Sequence, residues 1–455
     1  MTRRRTLLLA LGLLLRLAAL PLWGTFDTEV QKAWAARAAS AGLAGIYGPP
    51  DHEMLRVARA ETGSAWGLLT AANLPRTRID WENGTFVVDY PPGSLLVLWA
   101  AGKLYRALRP EMPNRPLFNA VINLAPLLGS LAIAVMLGRS APDDDGRRRG
   151  LAFWLNPAVL LAAPVLGYPD PVFGALALAA VLALARKRYA AAAALVVATG
   201  LVKPQGALLL PALLFVMARE ARPRDWLRAT PGAFGVAALV LLPWWSAGHL
   251  LSALDGCRRT ATQSALSAQG LNLWWAAGWA MDRTQEGRRP LARIHSAEEF
   301  REWAGFDPRP VARAAVLGAT AGILLLMRRW PAADRRIIPL SVILQVHAYA
   351  FFATSVHENH TFLAVVLAPL LLGAWPRARA LVAAASGFLF LNLFLVAGLG
   401  RRITSLRFVD QLRLAPGFDL TILVAVLHGA LLVALFAWAA RPRGEAAAPA
   451  TAPAV

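Results

Sequence analysis

Apolar runs recur along the whole chain, near 5–24, 116–138, 151–167, 171–186, 189–202, 206–218, 230–247, 311–328, 337–355, 361–375, 380–399 and 419–440, with short polar loops between most of them. A helix that crosses about 30 Å of hydrocarbon at 1.5 Å per residue needs roughly 20 residues. The pattern therefore predicts an all-α polytopic membrane protein with about 12 transmembrane helices. The first run follows Arg3-Arg4-Arg5 and lacks a small-x-small cleavage site, so it reads as an uncleaved first span. Runs 189–202 and 206–218 are short enough for a half-helix pair. Gly93 to Leu108 is also apolar, but counting it as a crossing would invert every later loop. It reads as an outer-face or partly embedded helix that begins after Pro91-Pro92, since proline suits a first helical turn.

Composition and charge sharpen this picture. With 57% apolar and 16% charged residues, a soluble fold is nearly excluded. The formal net charge of +20 would suggest nucleic acid in a water-soluble protein, but most of the basic residues sit in alternate short loops. Arg3 to Arg5, Arg139 with Arg147 to Arg149, Arg186-Lys187-Arg188, Arg219 to Arg228, Arg328-Arg329 with Arg335-Arg336, Arg377 with Arg379, and the tail from Arg441 fall on one side, as expected of cytoplasmic loops. The long stretches 25–115, 248–310 and 400–418 then lie outside. The partners implied are anionic membrane lipids and no nucleic acid. The single cysteine, Cys257, cannot form an intrachain disulfide, and no internal repeat stands out. The Ala/Pro-rich tail after Gly444 reads as disordered.

With this topology the unusual polar residues collect on the extracytoplasmic side: Asp27 and Glu29, Asp89 and Tyr90, Asp170, Lys203 and Gln205, and His357-Glu358-Asn359-His360. Ionisable groups at membrane depth cost about 2.5–3.5 kcal/mol each on insertion scales, so such a cluster implies pairing or a wet pocket. In Asp27-Thr28-Glu29 one carboxylate can take a proton from a hydroxyl while the other orients a sugar or binds a metal; the bland alternative makes Asp27 the N-cap of a helix running through Trp34. Asp89-Tyr90-Pro91-Pro92 serves equally as a rigid turn. Lys203 and Gln205 suit a phosphate and a second oxygen, with a snorkelling lysine as the alternative. His357, His360 and Glu358 suit a phosphate, a sugar or a metal, although no further His or Cys stands near. Asp170 is a binding residue or a turn residue, and Arg16, inside the first span, needs a carboxylate, a phosphate or a route to water. Asn83-Gly84-Thr85 fits a glycosylation acceptor.

These residues, taken in order, resemble a family. Leu13-Leu14-Leu15-Arg16, Asp27-Thr28-Glu29-Val30-Gln31-Lys32-Ala33-Trp34, Asp89-Tyr90-Pro91-Pro92, Asn156-Pro157, Lys203 with Gln205, Asn272-Leu273-Trp274 and Val356-His357-Glu358 are similar to motifs of the polytopic C-type (GT-C) glycosyltransferases. The likeness is to the dolichyl-phosphate-glucose-dependent glucosyltransferases of asparagine-linked glycan assembly. It implies a GT-C transmembrane catalytic module over 1–375 including the outer loop 25–115 with its amphipathic helices, C-terminal transmembrane helices over 376–443, and a tail from 444. It also implies an inverting hexosyltransferase working on the extracytoplasmic face, and the richness in Ala and Arg reads as that of a bacterial relative, in the plasma membrane. A glucose or mannose would pass from a polyprenyl-phosphate donor to a hydroxyl of a lipid-linked or surface glycan. Asp27 and Glu29 would be catalytic; Lys203, Gln205, His357 and Arg16 would bind the donor phosphate; Asp89, Tyr90, Glu358, His360, Asp170 and Trp34 would bind substrate. No cofactor is obligatory, and a divalent metal is optional because cationic side chains can neutralise a monophosphate leaving group. The chain departs from the family at Pro204 between Lys203 and Gln205, around Asp170, and at Asn359-His360 where the family has lysine. Other readings are a transporter or lipid flippase, a glycan ligase or polymerase, and a lipid phosphatase. The one-sided collection of polar residues and the lack of two related halves argue against transport.

Overall fold

The computed structural model describes residues 3–22, 24–47, 88, 90–261, 263–284, 293–373, 375, 377–398 and 418–440. Asp89, Asn83-Gly84-Thr85 and the tail from 444 lie outside the described residues. Among the described residues the chain is helical, with only isolated bridges such as Ala268 to His357 and no strand.

The N-terminal half holds α1 (Arg3–Ala19), α2 (Phe26–Ala41), α3 (Pro92–Leu108), α4 (Pro116–Gly138), α5 (Asp143–Trp154), α6 (Pro157–Leu160), α7 (Asp170–Ala185), α8 (Tyr189–Val202), α9 (Leu210–Glu220) and α10 (Pro223–Ser246). The remainder holds α11 (Leu250–Ala261), α12 (Leu273–Thr284), α13 (Ala297–Ala304), α14 (Pro308–Arg329), α15 (Ile337–Phe352), α16 (Phe362–Leu367), α17 (Ala378–Leu393) and α18 (Leu420–Ala440). Among the described residues five helices are long and apolar enough to cross a membrane: α4, α10, α14, α17 with its extension to Val396, and α18. Others of the predicted runs are shorter or broken, and proline accounts for the breaks. The run 151–167 is interrupted at Asn156-Pro157 and again by a π turn containing Pro164, and the run 206–218 starts as a 3-10 turn after Pro204.

The connections gather at two opposite ends. At the basic end, Arg5 of α1 meets Asp144 of α5 at 2.9 Å, Arg335 clamps Glu220 at the end of α9, and Arg149 donates to the carbonyl of Leu372. At the other end, the turn before α2 binds the turn before α7, because the Thr25 N–H donates to the Leu166 carbonyl at 2.8 Å. Between them lies an apolar core built from α7, α15 and α16, with Leu178, Ile343, Leu344, Phe362 and Val366 fully buried. It draws on sequence runs that are apolar all round, as befits helices enclosed by other helices.

Helices α2 and α3 form a close pair at the second end. Ala35, Ala38 and Ala39 of α2 pack against Leu95 and Leu98 of α3, and Arg106 donates to the carbonyl of Ala39 at 2.9 Å. The approach is set by Gly102: a Cβ there would sit 2.1 Å from the Ala35 carbonyl oxygen. Ser94 of α3 donates to the carbonyl of Val202 at 2.6 Å, which ties the pair to the end of α8. Gly102→Val is therefore expected to destabilise the protein by about 1–3 kcal/mol, the usual cost of overpacking, since it is backbone that has to move. An unchanged thermal unfolding midpoint in detergent would reject this account.

Candidate active site

Helix α2, the Tyr90-Pro91 segment before α3, the turn 203–205, the turn 353–360 and the start of α14 line a cavity of about 930 Å³. Asp27, Trp34, Tyr90, Lys203, Gln205, His357 and His360, all singled out from the sequence, line it. Helical spacing explains the contribution of α2. Asp27, Gln31 and Trp34 stand four and three residues apart, on one face, and all three reach the cavity.

Glu29 does not. Two residues on a helix are turned by about 200°, so Glu29 points the other way. It accepts from Lys32 Nζ at 2.5 Å and from Asn114 Nδ2 at 3.0 Å, a buried ion pair that anchors α2 to the segment before α4. Asp27 is also not the helix cap. Thr25 holds that position, and its N–H donates to Thr28 Oγ1 at 3.1 Å. Asp27 is half-buried and accepts no hydrogen bond from any described residue. Burial pushes its carboxyl pKa up, with Glu358 and Asp170 adding to the rise against the opposing His357 and Lys203.

The other acids of the site are each held. Asp170 is buried and accepts from Lys203 Nζ at 2.7 Å and from Asn359 Nδ2 at 2.8 Å. Glu358 is buried and accepts from the Tyr168 hydroxyl. Burial and the neighbouring Glu358 hold that phenol pKa well above its ordinary value, so Tyr168 stays a donor. Asp170 and Glu358 thus stand behind the cavity wall and set the positions of Lys203 and Tyr168. Tyr168 follows Gly167, whose φ of +75 suits glycine and turns the chain across Thr28.

His360 Nε2 lies 2.7 Å from the Gln205 amide, and its Nδ1 accepts the His357 N–H at 3.4 Å. Burial, with Lys203 and His357 adding, lowers the His360 pKa well below its ordinary value, so the ring is neutral and acts through hydrogen bonds. His357 is half-buried with Nε2 3.2 Å from Gln263 Oε1. The turn that presents both rings is pinned by Ser355, at a left-handed φ of 56, whose hydroxyl donates to the carbonyls of Gln263 and Ala265. Asn272-Leu273-Trp274 supports it from outside. Asn272 caps α12 and donates to Ala353 at 3.1 Å, and Trp274 Nε1 donates to Phe352 at 2.6 Å.

Arg16 is also elsewhere. It is buried 3.8 Å over the Trp154 ring and donates to the Gly12 carbonyl, so its partner in the first span is an aromatic face. Asp89 lies outside the described residues.

Sequence reasoning named Gln31 and Asn359 without giving them a role in the site, and missed Gln263, Tyr349, Arg309 and Arg313 of the lining. Gln31 was findable from its spacing to Asp27. Both arginines lie in the first turns of α14; Arg309 closes the long outer stretch 248–310, whose charges are discounted for topology, and Arg313 falls inside the run 311–328 that reads as a span. Arg309 is tied to Asp307 and Glu298, whereas Arg313 is exposed and makes no ion pair with any described residue. Toward α14 the lining turns apolar, with Leu208, Val316 and Leu317. Among the described residues no three His, Cys, Asp or Glu side chains are placed to share a metal ion.

The arrangement is one free carboxylate facing N–H donors across a cavity that is polar at one side and apolar at the other. No known protein family's sequence pattern matches this chain, and no curated protein matches it either.

Proposed function

We propose that the chain is an inverting membrane glycosyltransferase that moves a hexose from a polyprenyl-phosphate donor to an acceptor hydroxyl of a lipid-linked or surface glycan. It works in a GT-C-type bundle of about 12 crossings, in which broken helices such as α5 with α6 share a single passage of the bilayer. The cavity end faces away from the cytoplasm of a bacterial plasma membrane, because the arginine-rich connections gather at the opposite end.

The observation that carries this reading is the isolation of Asp27: of the described acids singled out from the sequence, Asp170, Glu358 and Glu29 are each bonded, and Asp27 alone accepts no hydrogen bond from the described residues. Its carboxylate takes the proton of the acceptor hydroxyl as that oxygen bonds to the anomeric carbon. The bond from that carbon to the phosphate oxygen breaks on the opposite face, and its electron pair leaves with the phosphate. Lys203, His357 and Arg313 supply N–H donors for the charge that develops there. Trp34 and Tyr90, with ring centroids 5.3 Å apart, form a wall for the sugar, and the apolar side toward α14 takes the first isoprene units.

The test is product analysis of the purified protein with a panel of polyprenyl-phosphate hexoses and lipid-linked acceptors. The expected products are polyprenyl phosphate and an acceptor extended by one hexose of inverted anomeric configuration. Movement of intact lipid across proteoliposomes with no new glycosidic bond would replace this reading by transport.

A further inference from the structure

A second cavity, of about 590 Å³, opens at the basic end between α5 and α17, remote from Asp27. The helix α16 and the 3-10 turn that extends it to Leu371 run from beside His360 to the rim of this cavity, so the two openings lie at opposite ends of the bundle. One wall is Leu151, Ala152 and Leu155, and the other is Val382 and Ala383. Its inner end is closed by Asn156, whose Nδ2 donates to Ser386 Oγ at 2.7 Å and whose Oδ1 caps α6. The Asn156-Pro157 motif thus belongs here and not to the Asp27 cavity.

Three charges line the mouth. Arg379 makes no ion pair or hydrogen bond with any described residue, Arg148 stands 3.8 Å from Asp145, and the Asp145 carboxylate lies against the backbone of Gly373. From Asp145 to Asn156 the chain rises about 16 Å at 1.5 Å per residue, half of the roughly 30 Å hydrocarbon thickness. A slot one leaflet deep, apolar within and basic at its rim, matches a single lipid with a negative head.

We propose that this slot binds an anionic phospholipid of the leaflet on the basic side, its phosphodiester between Arg148 and Arg379 and an acyl chain along Leu151, Leu155 and Val382. Arg148 and Arg379 against the single carboxylate of Asp145, with the Arg149 guanidinium held beside them on the Leu372 carbonyl, leave the rim net positive, which suits the negative charge of a phosphodiester. The leaflet facing the basic loops is the one in which anionic lipids neutralise such residues.

The site is tested by native mass spectrometry of the full chain in neutral detergent, titrated with phosphatidylglycerol, phosphatidylcholine of the same acyl chains, and a polyprenyl phosphate. Phosphatidylglycerol is expected to be retained preferentially. Removing both charges in Arg148→Gln with Arg379→Gln should weaken it about 30-fold, from roughly 1 kcal/mol per arginine, and Arg379→Gln alone about fivefold. Ala383→Trp should block the slot for phosphatidylglycerol while leaving the thermal midpoint unchanged. Equal retention of phosphatidylglycerol and phosphatidylcholine by the wild type, or retention untouched by Arg379→Gln and Ala383→Trp, would overturn the site. Tighter retention of the polyprenyl phosphate would overturn the assigned occupant. The readout is lipid retention, so a failure of hexosyl transfer leaves it intact.

Discussion

Asp27→Asn is expected to lower turnover by on the order of 10²–10⁴-fold, the usual contribution of a positioned general base. Donor binding should stay within about twofold, because the phosphate donors come from other elements and general-base removal acts on the chemical step. Burial beside Glu358 and Asp170 raises the carboxyl pKa, so kcat/KM of the wild type should fall as pH drops through a value above the ordinary 4 or so of aspartate. Stability runs the other way. A carboxyl that holds its proton more tightly in the folded chain than in the unfolded one contributes most below the unfolded pKa, and that contribution is lost as pH rises through the folded value. The asparagine variant should therefore unfold at a temperature no lower than the wild type at pH 7–8. Wild-type turnover in this variant would remove Asp27 from the chemistry, and a lowered unfolding temperature would mark it as a structural residue.

How much of this was legible depended on whether the signal was local. The all-helical, membrane-type character is written in the apolar runs, and the helix starting after Pro91-Pro92 in the proline pair. The cavity face of α2 is equally local, since Asp27 and Trp34 stand seven residues apart. The same helix geometry separates Glu29 from Asp27, and reading the two carboxylates as a pair overlooked it. Arg16 could not be placed from sequence. Its partner is the Trp154 ring, 138 residues along the chain, and an apolar residue facing a cation carries no mark in the sequence. The Asp170–Lys203 pair and the Tyr168–Glu358 bond likewise join separate turns that only packing brings together. Motifs also divide between roles: Asn272 and Asn156 act on backbone and on Ser386, which matching by order alone cannot distinguish from contact with substrate.

Lys203→Met is expected to cost about 3–5 kcal/mol of stability, because it leaves the buried Asp170 carboxylate with Asn359 as its remaining partner. The double variant Lys203→Met with Asp170→Asn should recover most of that loss, since both charges are gone and the amide can still accept from Asn359. This cycle separates the two tasks that one ammonium performs. If Lys203 serves only to neutralise Asp170, the double variant regains donor affinity along with its fold. If its remaining N–H groups face the leaving phosphate, the double variant regains the thermal midpoint but binds the polyprenyl-phosphate hexose at least about tenfold more weakly, the cost of one charge-assisted hydrogen bond. The second outcome is expected, because Lys203 lines the Asp27 cavity while Asp170 stands behind its wall. A donor titration of the double variant that overlays the wild type would take Lys203 out of the donor site.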